Sequence, residues 1–547
     1  MSQIERRIQL GLLATLSAVV LLLLISCGGG GGGATTSGAS NDPPTTSSAP
    51  PTLTGASVDA VVHAAVEAVN VPIEVAVTDR LGNILGVFGT KNAPATGMGN
   101  FGTTPPAPDL AVALARTASF FSNDQAPLSS RTVRYISGIH FPPGVAGTAN
   151  APLYGIENTN RGCSFNTTYL PGQAIPPATL INGSSPGLGI ITGKANVFDS
   201  EPNAVNPGGV PLFENGTLVG GVGVVAADPN VAEYAAYVAA TTAPFGPMPA
   251  APGVVVINGI AVPFVNQTTA PSGITSGPFN GSYSVGPMAS PGPPPDGYLV
   301  GPMASAYPGG LSENDVRSIV SSAFATASVT RAVIRLPIGS RTRMMFAVSD
   351  LDGTLLAIYR MPDATIFSID VAVAKARNVI YFSSTGGQLP GVYADSQPGS
   401  LDLPGVPPGT AVTNRSVSFG AQPLFPPGVD GSGDGPFFNL YVYDTANPCT
   451  QGSQPANPNQ SGIVFFPGAL PLYRNGVLVG GLGVSGDGVD QDDFVTAGGA
   501  AEMTLNDSSD PSQTGQGFEA PTAIRADQIV IDNVRLPYIK FPRNPTQ

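Results

Sequence analysis

The chain has 547 residues with 69 Gly and 56 Pro, and its 23 Lys and Arg stand against 36 Asp and Glu, a net charge of -13. That length exceeds one ordinary core, so at least two domains built of short elements and many turns are expected. The acid excess, with no basic cluster beyond the N-terminal segment, argues against nucleic acid as a partner and against electrostatic docking on anionic lipid.

In chain order, Arg6 and Arg7 precede an apolar run from Leu10 to Ile25, which ends in Leu24-Ile25-Ser26-Cys27. A charged start, an apolar stretch and a small residue before cysteine form an export signal over residues 1–27, with Cys27 as the lipidation site. The run is also near the lower length for a membrane-spanning anchor, the competing reading. Gly28 follows the cysteine, in place of the Asp that resembles an inner-membrane retention signal. The expected address is therefore the bacterial cell envelope, at the outer membrane or cell surface, with the chain held by its N-terminal lipid. Residues 28–52, rich in Gly, Ser, Thr and Pro, cannot bury enough apolar surface to fold and read as a tether.

Beyond the tether the chain repeats itself in order. VAVTDRLGNILGVF (75–88) answers FAVSDLDGTLLAIY (346–359), and DLAVALARTASFFS (109–122) answers DVAVAKARNVIYFS (370–383). SRTVRYISGIHFPPGV (130–145) answers NRSVSFGAQPLFPPGV (414–429), and GVPLFENGTLVGGVGV (209–224) answers ALPLYRNGVLVGGLGV (ending at 484). VVINGIAVPFV (255–265) answers IVIDNVRLPYI, so even the tail has a counterpart. Domain one is placed at 53–270 and domain two at 311–547. The Pro/Gly-rich segment 271–310 is read as a linker in which VGPMAS happens to occur twice.

Each copy opens with an amphipathic helix, marked by Val58, Val61, Val62, Ala65 and Val66 and by Leu311, Val316, Ile319, Val320 and Ala323. A hairpin turning at Asp79 and Gly82, or Asp350 and Gly353, follows. Asp109 and Asp370 are expected to N-cap a second helix. Asn215-Gly216 and Asn475-Gly476 predict type I′ hairpins, and a third helix follows each. The glycines of GTLVGGVGV and GVLVGGLGV lack the Lys-Ser/Thr of a phosphate loop and suit close backbone approach.

RMPDATIFSIDVAVAKARNV (360–379) followed by LPLYRNGVLVGGLGVSGDGVDQDD (470–493) resembles the GlcG/HbpS-like haem-binding family in wording and order, and the first copy is a more divergent match. The resemblance implies an α/β fold of the α+β type: two tandem profilin-like domains, each a central antiparallel sheet flanked by helices, forming a pseudo-dimer within one chain. It also implies haem as a possible cofactor, or another small ligand, in a role related to redox. The alternative is an envelope structural or interaction lipoprotein with no small-molecule ligand.

Haem iron takes His, Cys, Met or Tyr, and the chain holds two histidines. His140, in the long loop that both copies elaborate, is a better candidate than His63, but its counterpart is Leu424. The matched Arg131 and Arg415 are candidate clamps for a propionate or carboxylate, or else structural salt bridges. Arg116 and Arg377 are explained by their place late in a helix. The acids Asp487, Asp490, Asp492 and Asp493 match no standard calcium loop and are expected on a solvated helix start. Cys163 and Cys449 occupy corresponding loops of an exported chain; they either pair, stapling the copies, or line an interface as thiols. No Ser/His/Asp arrangement, HExxH or cysteine-histidine cluster is present, so a non-enzymatic role is favoured over an enzyme.

Overall fold

In the first copy, α1 (Gly55–Glu67) starts at Thr54, whose side chain accepts the Ser57 N–H while Ser57 caps Thr54 in return. Leu53 and Val58, buried on either side of this capping box, staple the helix entry. Next come β1 (Ile73–Asp79), β2 (Ile84–Thr90), α2 (Ala107–Phe121), the short α3 (Ser130–Tyr135), β3 (Gly209–Glu214), β4 (Thr217–Ala226) and α4 (Pro229–Thr241). A two-residue hairpin, β5 (Val256–Ile257) and β6 (Ile260–Ala261), precedes β7 (Gly281–Val285). The sheet runs β3-β4-β1-β2-β7, every pair antiparallel. The computed structural model describes residues 50–173, 180–183, 189–190, 207–249, 254–385, 402–501 and 517–547. The signal segment, Cys27 and nearly all of the tether lie outside the described residues.

The second copy follows the same plan. It contains β8 (Gly297–Val300), α5 (Glu313–Val329), β9 (Met345–Ser349), β10 (Leu355–Arg360), α6 (Phe367–Ser383) and α7 (Asn414–Gly420). It continues through α8 (Phe438–Ala446), β11 (Ala469–Arg474), β12 (Val477–Ser485), α9 (Val489–Ala500) and the terminal hairpin β13 (Val530–Ile531) and β14 (Val534–Arg535). Its sheet order is β11-β12-β9-β10-β8. The structure thus has the expected α/β organisation, two antiparallel sheets flanked by helices.

Each sheet is covered on both faces, which is why β1 and β9 are buried along their whole length. In the first sheet, Val75 and Val77 pack with α1 and α4, while Ala76 packs with α2. The glycines of the repeated motif let the central helix lie directly on the strand. A Cβ at Gly221 or Gly223 would stand 2.2 or 1.9 Å from the carbonyl oxygens of Ala115 or Ala111, and one at Gly481 or Gly483 would stand 2.3 or 2.1 Å from those of Ala376 or Ala372. Asn215-Gly216 and Asn475-Gly476 turn with positive φ at both residues, as a type I′ hairpin requires.

Two expectations need correction. Asp109 and Asp370 lie inside the first helical turn and do not cap it; they accept the backbone N–H groups of Ile181 and Asn160 at 3.0 and 2.7 Å. The segment 271–310 is also more than a linker, because it supplies the fifth strand of both sheets. After each strand, VGPMAS docks in the same way. Met288 and Met303 donate to Leu85 and Leu356, Ser290 and Ser305 donate to Leu53 and Leu311, and the serine hydroxyls reach Asp79 and Asp350. The hexapeptide is doubled because the edge of the domain is doubled.

The two copies share one apolar core where the end of α2 meets the start of α6. Phe121 stacks on Phe367 at 4.1 Å between ring centroids, and Ile366 N–H donates to Phe120 O. The long loop of the first copy then runs along the second. Tyr154 stacks on Tyr441, the Tyr441 hydroxyl donates to Glu157, and Arg161 pairs with Asp444 at 2.6 Å. Cys163 and Cys449, 286 residues apart, are bonded as a disulfide. A loop-closure constraint of this length stabilises by about 2–5 kcal/mol. The double variant C163S/C449S is expected to lose that amount in denaturant unfolding without reductant. An unchanged midpoint would show that the bridge is energetically idle.

Candidate functional site

A cavity of about 960 Å³ opens between the copies, at the upper end of the range for small-molecule sites. Its apolar wall includes Phe121 and Leu128 from the first copy and Phe367, Phe419 and Phe466 from the second. The β5–β6 hairpin and the chain after β14 contribute to the rim, so both repeats of the tail reach the same opening. These tails are held there by the short helices. Thr132 and Ser416 donate to the carbonyls of Pro263 and Pro537, each at 2.6 Å. Ile338, 78% exposed, and Phe541, 48% exposed, place apolar surface at the mouth.

Arginines and lysines surround this apolar space in two kinds. Arg335 is fully buried between Asp363 and Asp487, and Arg415 is held by Asp490 and Asp493. Arg331 and Arg543 also line the cavity, and neither has an ion-pair partner among the described residues. In a chain of net charge -13, these two guanidiniums stand beside an apolar cavity without an ion-pair partner among the described residues. Lys540 Nζ lies nearby, 2.8 Å from Asp490.

The acids of α9 differ from the expected solvated group. Asp487, Asp492 and Asp493 are buried, and each meets a cation brought from a distant segment: Arg335, Lys375 and Arg415. No group of three or more His, Cys, Asp or Glu among the described residues is arranged to hold a metal. Lys375, 0% exposed, donates to Asp492 at 3.0 Å and to Val484 O at 2.8 Å. Burial pushes the Asp492 carboxyl up to about 7, with Lys375 offsetting only part of the effect. The aligned positions in the first copy are Leu114 and Ala232, so the same fold carries an apolar side chain at each position there.

The sequence candidates are dispersed. His140 lies outside the cavity lining, 2.9 Å from Asp430 of the opposite FPPGV loop. Arg131 makes a two-pronged bond to Glu233 at 2.7 and 3.0 Å, and Glu233 also takes the N–H groups of Asn266 and Gln267. Arg415 touches the cavity with its guanidinium already paired. Arg131–Glu233 and Arg415–Asp493 are the same contact in the two copies. His63 sits on α1 beside Glu67 and stacks on Phe279. Arg116 and Arg377 do not answer a helix end; they donate to Gly82 O and Gly353 O of the first hairpin turn, each at 2.9 Å. Arg331 and Arg543 lie outside every repeated motif, so the internal repeat does not single them out. The signal available was their lack of a counterpart.

Residues 311–501 match the family described as haem degrading protein HbpS-like. Two solved structures are similar to parts of the chain. A PduOC–haem complex is 21% identical and covers 36% of this chain and 96% of its own, with a TM-score of 0.22. Klebsiella pneumoniae protein ORFY is 17% identical and covers 34% of this chain and 85% of its own, with a TM-score of 0.21. No curated protein matches this chain.

Because the first copy does without the Lys375–Asp492 pair, the scaffold does not need it. Breaking a buried pair by removing one partner costs about 3–5 kcal/mol, whereas replacing both by apolar groups is often neutral or stabilising. Asp492→Ala alone is therefore expected to lower the melting temperature clearly at pH 7.5, and the double variant K375L/D492A to restore it. Equal losses in both would show that the pair is part of the scaffold after all.

Proposed function

We propose that this chain is an exported lipoprotein, anchored through Cys27, whose two copies form an intrachain pseudo-dimer that binds haem or another flat, apolar, anionic small molecule. The observation that carries the ligand reading is the cavity between the copies, with its phenylalanine walls and with Arg331 and Arg543, which have no ion-pair partner among the described residues, in its lining. The HbpS-like match of the second copy supports haem as the first candidate. A porphyrin suits this lining in two respects: the rings meet aromatic walls, and the propionates meet guanidiniums.

Iron is another matter. The usual ligands are His, Cys, Met and Tyr, and among the described residues none of these lines the cavity. The described lining residues would therefore hold the organic body and the carboxylates, and none of them is an iron ligand of the usual kinds. His140 is committed to Asp430 elsewhere. A redox role for the lipoprotein rests on the family resemblance alone.

The anchor rests on the N-terminal pattern. Among the described residues no helix is long and apolar enough to cross a membrane. Cells grown with labelled palmitate are expected to tag the wild-type chain and leave Cys27→Ser unlabelled; label on both would remove the anchor from this reading.

For the ligand, equilibrium dialysis of the purified full chain against hemin is expected to show saturable binding. The variant R331A/R543A should bind about tenfold more weakly, the scale of a lost charge-assisted contact, and His140→Ala should stay within about twofold of wild type. Loss of binding in His140→Ala with R331A/R543A unaffected would move the site away from the cavity.

A further inference from the structure

The second copy joins its first helix to its sheet by a longer route than the first copy does. Residues 68–72 suffice between α1 and β1, whereas residues 330–344 stand between α5 and β9. The added chain folds back on itself. Arg331 and Arg341 face each other in an antiparallel bridge, Ala332 N–H donates to Ser340 O, and Ser340 N–H donates to Pro337 O. Residues opposed in this way project from one face, so Arg331 and Arg341 stand together, with Ile338 at the turn. The first copy does without this excursion, so its residues answer no demand of the scaffold.

The segment 540–546 lies along the same excursion. Arg331 N–H donates to Pro545 O at 2.6 Å and the Arg341 guanidinium to Thr546 O at 3.0 Å, and Phe541 and Arg543 line the cavity beside Arg331 and Ile338. Ile338 is 78% exposed, Phe541 48% and Val256 of the first copy 38%, and all three belong to the cavity lining. Arg341 and Arg543 are exposed and Arg331 is half-buried; none of the three has an ion-pair partner among the described residues. The acids of the lining do not cancel them. Asp490 is taken by Arg415 and Lys540, and Asp492 is buried against Lys375. No basic run marks this patch in the sequence, because the fold gathers it from two distant segments.

Exposed cations around protruding apolar side chains suit a bilayer interface, where guanidiniums meet lipid phosphates and apolar tips enter the acyl boundary. A small anion would answer the arginines and leave Ile338 bare. The net charge of -13 does not oppose this contact at close range, since charges more than about 8 Å away are largely screened at physiological ionic strength. We propose that the cavity mouth is a docking surface for anionic phospholipid, in which Ile338, Phe541 and Val256 enter the interface and Arg331, Arg341 and Arg543 meet phosphates. Docked in this way, the cavity opens towards the acyl layer. The proposal concerns the mouth alone and holds whatever the cavity binds.

The chain contains no Trp, so Phe541→Trp places a single fluorescent reporter at the mouth. Val477→Trp places one at a site that is 65% exposed and outside the cavity lining. Both are made in the purified full chain carrying Cys27→Ser, which removes the lipidation site; the apolar run 10–25 is common to every variant. Phosphatidylglycerol vesicles are expected to shift the F541W emission to the blue, and phosphatidylcholine vesicles to leave it in place. Adding R331A/R543A should raise the phosphatidylglycerol needed for half of the shift by about tenfold or more, whereas R331K/R543K, which keeps the charge, should stay within about twofold. An equal shift with phosphatidylcholine, a shift of the same size in V477W, an alanine pair as responsive as its parent, or no shift with either lipid would overturn the docking surface. None of these results bears on hemin binding by the cavity, which dialysis reads separately.

Discussion

The guanidinium of Arg335 is the point on which the joined copies depend. It is fully buried, with Asp487, just before α9, on one side and Asp363 on the other, and Asp363 in turn meets Arg80 of the first copy. Burial raises the Asp363 carboxyl, but Arg80 and Arg335 outweigh it and hold the group below the usual carboxylate range. A charge taken out of water must be matched where it lies, so each member of this chain constrains the next. Arg335 also lines the cavity. The contact that orients the copies and the wall of the candidate site are thus one piece of structure.

A buried ion network is a poor source of net stability and an effective source of register, since any other docking leaves a bare charge inside. The stabilising area comes from elsewhere: the stacked Phe121 and Phe367, the Tyr154–Tyr441 pair and the loop that the disulfide holds against the second copy. The described part of the long first-copy loop, which sequence alone marks as a place for function, is occupied by this task. Its polar groups are directed at the other half of the same chain, as with Glu157 to Tyr441 and Arg161 to Asp444.

The duplicated halves have diverged at the cavity and stayed alike in the scaffold. Arg131–Glu233 and Arg415–Asp493 keep one contact in two places, and Arg116 and Arg377 grip the same hairpin turn. Leu114 with Ala232, against Lys375 with Asp492, is the opposite case. A position that is apolar in one copy and a buried ion pair in the other follows no demand of the fold. The copy that matches the HbpS-like family is the one that carries the ion pair.

What the sequence determined by itself was local or repetitive. The helix stripes, the Asn-Gly turns, the glycines under the central helices and the internal repeat were legible because each depends on residues within a turn or two, or on self-comparison. The matched positions of Cys163 and Cys449 belonged to the same kind of evidence, but the choice between a bridge and two thiols came from the structure. The tertiary structure alone decided which charges are buried. Asp487, Asp492 and Asp493 look like a solvated helix start until Arg335, Lys375 and Arg415 arrive from segments 78–152 residues away. It also turned a Pro/Gly-rich connection into the edge strand of both sheets, because Gly281–Val285 and Gly297–Val300 acquire strand structure only from the neighbour they pair with. Periodicity reports the face a residue lies on; what packs against that face, and whether it brings a charge, is set by chain that is distant in sequence.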